Sequence, residues 1–213
     1  MTTPVPSLIY LASASPRRSE LLKLAGIHFE VLLIRNQPRP AGASNAPIDV
    51  IETRTSKETA ANYVERVARE KAQAGWQSLQ WRHLPIHPVL AADTEVILND
   101  EVFGKPTDAA HAYAMLQKLS GQTHEVRTAV CLVTANKVYE TVSISTVTLP
   151  VLRPGQITQY IASGEPFGKA GAYGLQGKAA MLVERVTGSP SGIIGLPLYE
   201  TAQLLEQAGI GIV

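Results

Sequence analysis

The 213 residues include one cysteine, three methionines, two tryptophans and three phenylalanines, and aromatic side chains make up only 6% of the chain. A lone thiol, Cys131, excludes a disulfide framework. Its apolar setting at 129–133 predicts a core residue in a reducing compartment. Charge is also scarce: 17% of residues are charged and the formal balance is +1. No broad basic surface is therefore expected for nucleic acid or an anionic membrane, and an anion must be held by a local cluster. No apolar run approaches the roughly 18 residues of a membrane helix. Residues 1–7 are uncharged and lead no apolar stretch of the kind that begins a secretion signal. The expectation is a soluble, cytoplasmic protein with no nucleic-acid or membrane partner. Histidine offers no zinc site, because Pro85 separates His83 from His87 and the others are isolated.

Against these absences, strand-like and helix-like stretches alternate along the chain, an α/β signature. The length suits one large domain or two closely packed lobes. No repeat or linker divides it, so 1–213 is read as a single domain. A first strand is predicted over 8–14. Ser15 and Pro16 then read as N-cap and first position of a helix that ends near Leu24, before Gly26. A second strand is expected over 29–34, and an irregular, proline-rich loop over 37–57. A helix follows over 58–74 with Gly75 as its stop, then a connection over 76–88. A strand over 89–98 turns at Asn99-Asp100. Thr107 or Asp108 caps a helix ending near Leu119, and a hairpin is expected over 125–134 and 137–148. Pro154 opens a helix closed by Gly164. A glycine-rich loop over 164–177, a strand over 181–186 and a helix over 198–207 complete the chain.

Several residues break these patterns in ways that suggest chemistry. Arg17 and Arg18 occupy the first turn of a helix, where the dipole disfavours cations. Either both face solvent, or two guanidinium groups and the free N–H groups converge on one anion. Asp93 interrupts an otherwise apolar strand. A carboxylate there is costly unless paired, hydrogen-bonded or metal-bound, which makes it a candidate general base or metal ligand. An edge position in water is the alternative. Lys71 continues the apolar face of Val64, Val67 and Ala68, so it either snorkels along the rim or reaches into a cleft. Lys105, stiffened by Pro106, precedes a capped helix and is equally consistent with an ordinary surface lysine. The 164–177 stretch lacks both the Walker spacing and the dinucleotide fingerprint, yet its glycines permit close backbone approach to a ligand. Gln176 within it could read a base edge.

Taken together, the segments Leu11-Ala12-Ser13-Ala14-Ser15-Pro16-Arg17-Arg18, Ala68-Arg69-Glu70-Lys71-Ala72, Ala92-Asp93-Thr94, Lys105-Pro106 and Leu119-Ser120-Gly121 resemble the Maf family. The 164–177 loop, Gly188-Ser189 and Gly195-Leu196-Pro197 extend the resemblance over almost the whole chain. It implies an elongated mixed β-sheet flanked by helices, similar to the Maf and ITPase folds, with a cleft between two lobes and often a homodimer. It also implies hydrolysis of a nucleoside triphosphate to the monophosphate and pyrophosphate with a divalent cation, Mg or Mn. Asp93 corresponds to the proton acceptor. Ser13, Arg17, Arg18, Lys71 and Lys105 correspond to substrate- or phosphate-contacting positions. Arg17, Thr94 and Gln176 fall where substrate branches differ, and Asp93-Thr94 with Gly174-Leu175-Gln176-Gly177 looks like the branch acting on dTTP and UTP, with modified pyrimidine nucleotides as further substrates. The 7-methyl-GTP branch and a non-catalytic regulator of cell division are the alternatives. Glu52 is the counterpart of a metal-linked acid, with Asp49 as its competitor because the intervening loop is long, and Asp93 is the other candidate ligand.

Overall fold

A computed structural model describes residues 8–34, 50 and 52–211. Asp49 and most of the proline-rich loop lie outside the described residues. The helices are α1 (Pro16–Leu24), α2 (Ala60–Trp81), α3 (Ala109–Leu119), α4 (Pro154–Ala162), α5 (Pro190–Ile194) and α6 (Leu198–Gln207). The strands are β1 (Ile9–Leu11), β2 (Phe29–Val31), β3 (Val89–Leu98), β4 (Glu101–Phe103), β5 (Thr123–Val133), β6 (Val138–Thr148) and β7 (Arg185–Thr187). They form one mixed seven-stranded sheet in the order β2-β1-β3-β5-β6-β7, with β4 also on β3. The β1 pairings are parallel, and every pairing from β3 onward is antiparallel.

The apolar run at the start of β3 is continuous because both of its faces are covered. Leu90 and Ala92 join Ile9, Leu11, Val130, Leu132 and Leu204 on one face. Val89 and Ala91 join Tyr10, Leu32, Leu79 and Cys131 on the other. At the far end of the same strand, Val96 enters a separate core with Phe103, Leu116, Val126, Val147 and Tyr160. With Ile97 packed against Val64 and Val67, the strand contributes to four clusters, two at each of its ends. Its edge away from β5 is shared between β1, which pairs with Val89 and Leu90, and β4, which pairs with Val96 to Leu98. Between them, no described strand covers residues 91–95.

Several expected boundaries move, and the strands expected over 8–14 and 29–34 are only Ile9–Leu11 and Phe29–Val31. The helix predicted to stop at Gly75 runs on to Trp81 as α2. A Cβ at Gly75 would stand 2.8 Å from Val89 Cγ1 and 3.0 Å from Ala12 Cβ, so the glycine serves the close approach of helix to sheet. The strand expected over 181–186 is a short 3₁₀ turn, Lys178–Leu182, followed by the three residues of β7. The Asn99-Asp100 turn forms as expected, with φ of 52° and 64°, the left-handed pair that a two-residue hairpin requires.

His124, only 2% exposed at the start of β5, has Nε2 2.7 Å from the Tyr173 hydroxyl. Burial pushes its imidazolium down to about 4 from 6.5. The unfolded chain therefore takes up this proton before the folded one does, and stability is fully present above about pH 6.5. It is lost as pH falls toward 4, at about 1.4 kcal/mol per pH unit where the slope is steepest. Urea midpoints between pH 7 and 4.5 should fall accordingly, and His124→Gln should flatten that slope.

Candidate active site

The uncovered stretch of β3 forms the floor of a cleft of about 1100 Å³. One wall is the loop and first turn at 12–18, with Glu52, Tyr63 and Lys71 beside it. The other is Lys105 and the glycine-rich loop from Phe167 to Gln176. The cleft thus lies between the clusters at the two ends of β3.

Asp93 rises from this floor with 6% exposure. Lys71, carried by the buried face of α2, reaches in and places Nζ 2.7 Å from Asp93 Oδ1 and 2.7 Å from Glu52 Oε1. The lysine therefore enters the cleft and does not snorkel along the rim. Asp93 Oδ2 is buried without a hydrogen-bond partner. Glu95, two positions along the strand and so on the same face, has a buried, unpartnered Oε2. Burial first, then the neighbouring charge of Asp93, push its carboxyl up to about 8, with Lys71 and Lys105 pulling the other way. The same negative field, after burial, raises the Tyr63 hydroxyl.

The α1 start is built as its sequence suggests, with Ser15 at the N-cap and Pro16 next. Its two arginines diverge. Arg17 sends Nη2 across the cleft to the Gly168 carbonyl at 3.2 Å, bridging the two walls. Arg18 donates to Gly195 O at 2.9 Å, Ser13 Oγ at 3.2 Å and Thr94 Oγ1 at 3.3 Å. Thr128 Oγ1 lies 2.9 Å from Thr94 Oγ1, completing a polar network behind the floor. Ser13 also accepts from the Ser15 N–H at 3.1 Å. Lys105 and Gln176 are exposed on the opposite wall. Sequence reasoning did not single out Glu95, Tyr63, Phe167 or Lys169, all of which line the cleft. Lys169 lies close enough to Arg17 that, after burial, the guanidinium charge lowers its ammonium.

Glu165 locks the glycine-rich loop. Its carboxylate accepts from the Lys178 N–H at 2.8 Å, the Ala179 N–H at 3.3 Å and the Tyr160 hydroxyl at 3.2 Å. A Cβ at Gly177 would overlap that carboxylate, which its three donors hold in place. Gly177→Ala is therefore expected to cost about 1–3 kcal/mol by overpacking and to expose the loop to limited proteolysis. A melting temperature and cleavage pattern like the parent's would show that Glu165 can step aside.

The sequence profile described as Maf-like protein matches residues 8–208. The chain belongs to the Maf family. Curated relatives match it end to end. The dTTP/UTP pyrophosphatase of Nitrosomonas europaea is 49% identical over 212 residues, all of both chains. The protein of the same name from Aromatoleum aromaticum is 50% identical over 206 residues, 97% of this chain and 98% of its own. Among solved structures, the Staphylococcus aureus Ham1 protein overlaps 67% of this Maf chain and 72% of its own, at 15% identity and a TM-score of 0.46. That overlap is too loose to carry an argument. Among the described residues of this Maf protein, no helix is long and apolar enough to cross a membrane.

Proposed function

We propose that this Maf protein hydrolyses dTTP and UTP between the α and β phosphates, releasing the nucleoside monophosphate and pyrophosphate. One observation carries the reading: a buried carboxylate with an unpartnered oxygen, Asp93, faces a cleft walled by cations. Relatives bearing that substrate name and matching the whole chain support it.

A triphosphate carries a charge of about −4 near neutral pH, and catalysis consists largely of positioning and neutralising it. Arg17, Lys105 and Lys169 stand on the walls to do so. Ser13 and Arg18 shape the loop beneath, and Arg18 commits three of its five N–H donors to protein acceptors, which leaves two for the phosphates. Asp93 Oδ2 accepts the proton of the attacking water, while Lys71 holds Oδ1 and fixes the carboxylate plane. Gln176 and the ring of Phe167, both lining the cleft, would meet the base, with Arg17 and Thr94 as the other specificity positions.

A divalent cation, Mg or Mn, supplies further charge neutralisation when bound. Buried, unpartnered oxygens on Asp93 and Glu95 suit such an oxygen-seeking ion. Glu52, the counterpart of the family's metal-linked acid, has Oε1 held by Lys71. Pyrophosphate release from a full nucleotide panel tests the proposal, with dTTP and UTP turning over fastest. Preference for 7-methyl-GTP would move the chain to another branch. Tight binding with no product from any nucleotide would make it a regulator and not an enzyme.

A further inference from the structure

Asp93 and Glu95 leave β3 on one face, in the stretch that neither β1 nor β4 covers. Asp93 is 6% exposed with Oδ2 unpartnered, and Glu95 Oε2 is likewise buried without a partner. Carboxylate oxygens in that state are costly unless something positive meets them. No cation hydrogen-bonds either of these two oxygens. Lys71 divides itself between Asp93 and Glu52 at 2.7 Å each, and Lys105 is exposed on the far wall. Arg18, whose charge also bears on all three carboxylates, donates to Gly195 O, Ser13 Oγ and Thr94 Oγ1, so neither Asp93 Oδ2 nor Glu95 Oε2 has a hydrogen-bond donor.

Mg²⁺ and Mn²⁺ take hard oxygen donors. Mg²⁺ commonly uses one or two carboxylates and completes its octahedron with water and phosphate. Among the described residues, no group of three or more His, Cys, Asp and Glu side chains is arranged to hold a metal, so water and the phosphate chain would have to supply the remaining donors. Glu52 stands differently. It is exposed, and one of its oxygens is held by Lys71.

We propose that Glu95 is the carboxylate that anchors the divalent cation, which leaves Asp93 Oδ2 to act as the base, and that Glu52 acts by positioning Lys71. The proposal rests on the reading that the cleft takes a phosphate chain. It assigns Glu95 a direct ligand role and makes Glu52 a positioning residue.

The test is Mn²⁺ binding to the full chain, followed by the loss of the free-ion EPR signal, with Mn²⁺ alone and with inorganic pyrophosphate added. Removing a mere hydrogen-bonding partner of a metal ligand typically costs about 10- to 100-fold in affinity, and removing the ligand should cost no less. Glu95→Gln should therefore weaken Mn²⁺ by about 10-fold or more in both arms. Glu95→Asp keeps the charge but withdraws the carboxylate by one methylene, and it too should bind more weakly. Glu52→Gln should leave Mn²⁺ affinity nearly unchanged. The idea is overturned if wild type binds no Mn²⁺, if both Glu95 variants bind like wild type, or if Glu52→Gln loses the ion as severely. Because the arm with Mn²⁺ alone needs no turnover, a chain inactive on every nucleotide could still show the Glu95 dependence. Failure of the activity and failure of this site are thus distinguishable.

Discussion

Asp93→Asn is expected to lower kcat on dTTP and UTP by about 10²–10⁴-fold, the usual range for removing a general base. Nucleotide affinity should hold or tighten slightly. The amide keeps the shape of the side chain and can still accept from Lys71 Nζ, which lies 2.7 Å from Oδ1. It cannot take a proton from water at Oδ2, and it removes one negative charge from a floor that must accommodate phosphates. Turnover measured by pyrophosphate release, together with Kd from calorimetry, separates the two effects. Wild-type turnover in this variant would take Asp93 out of the reaction.

Lys71→Met carries the second large effect, and it acts on both activity and stability. Lys71 is the cation in contact with both Asp93 and Glu52. Without it the Asp93 carboxylate loses its fixed orientation, and turnover should fall by about 10²-fold, as when a preorganised donor is deleted. Breaking a sealed ion pair from one side costs about 3–5 kcal/mol. The Lys71 side chain retains 18% exposure, so solvent screening brings the expected loss to about 2 kcal/mol. The double variant Lys71→Met with Asp93→Asn should recover part of that loss, since the Asp93 charge is then not left unpaired, while Glu95 and Glu52 still lack Lys71. Additive destabilisation in urea denaturation would show that the two side chains are not coupled.

Periodicity made much of this arrangement legible. Asp93 stood out because it breaks an apolar strand, and Lys71 because it continues an apolar helical face. Those violations pointed at each other across the interior. The same logic was available for Glu95, which alternation places on the face of Asp93, but the apolar run already thins there and the signal is weaker. Gly75 could not be read locally. A glycine near the expected end of a helix looks like a stop, and only the proximity of Val89 and Ala12 shows that it is a point of contact. Glu52 lies in a stretch with no period at all, and its partnership with Lys71 is set wholly by tertiary contact. The divergence of Arg17 and Arg18 was equally hidden, since it depends on carbonyls at Gly168 and Gly195, more than 150 residues away in sequence.

The gap in strand pairing along β3 bears on how variants of this cleft should be interpreted. Main-chain groups alternate in direction along a strand. Leu90 turns its carbonyl toward Ala12 of the β1 side, so Ala92 and Thr94 must present their own N–H and C=O groups to that same open edge. These are donors and acceptors without side-chain identity. No point substitution short of proline removes a donor there, and none removes a carbonyl. An alanine scan would leave that part of the binding surface intact and would understate its share, so residual affinity in heavily substituted variants is the expected background of the backbone itself.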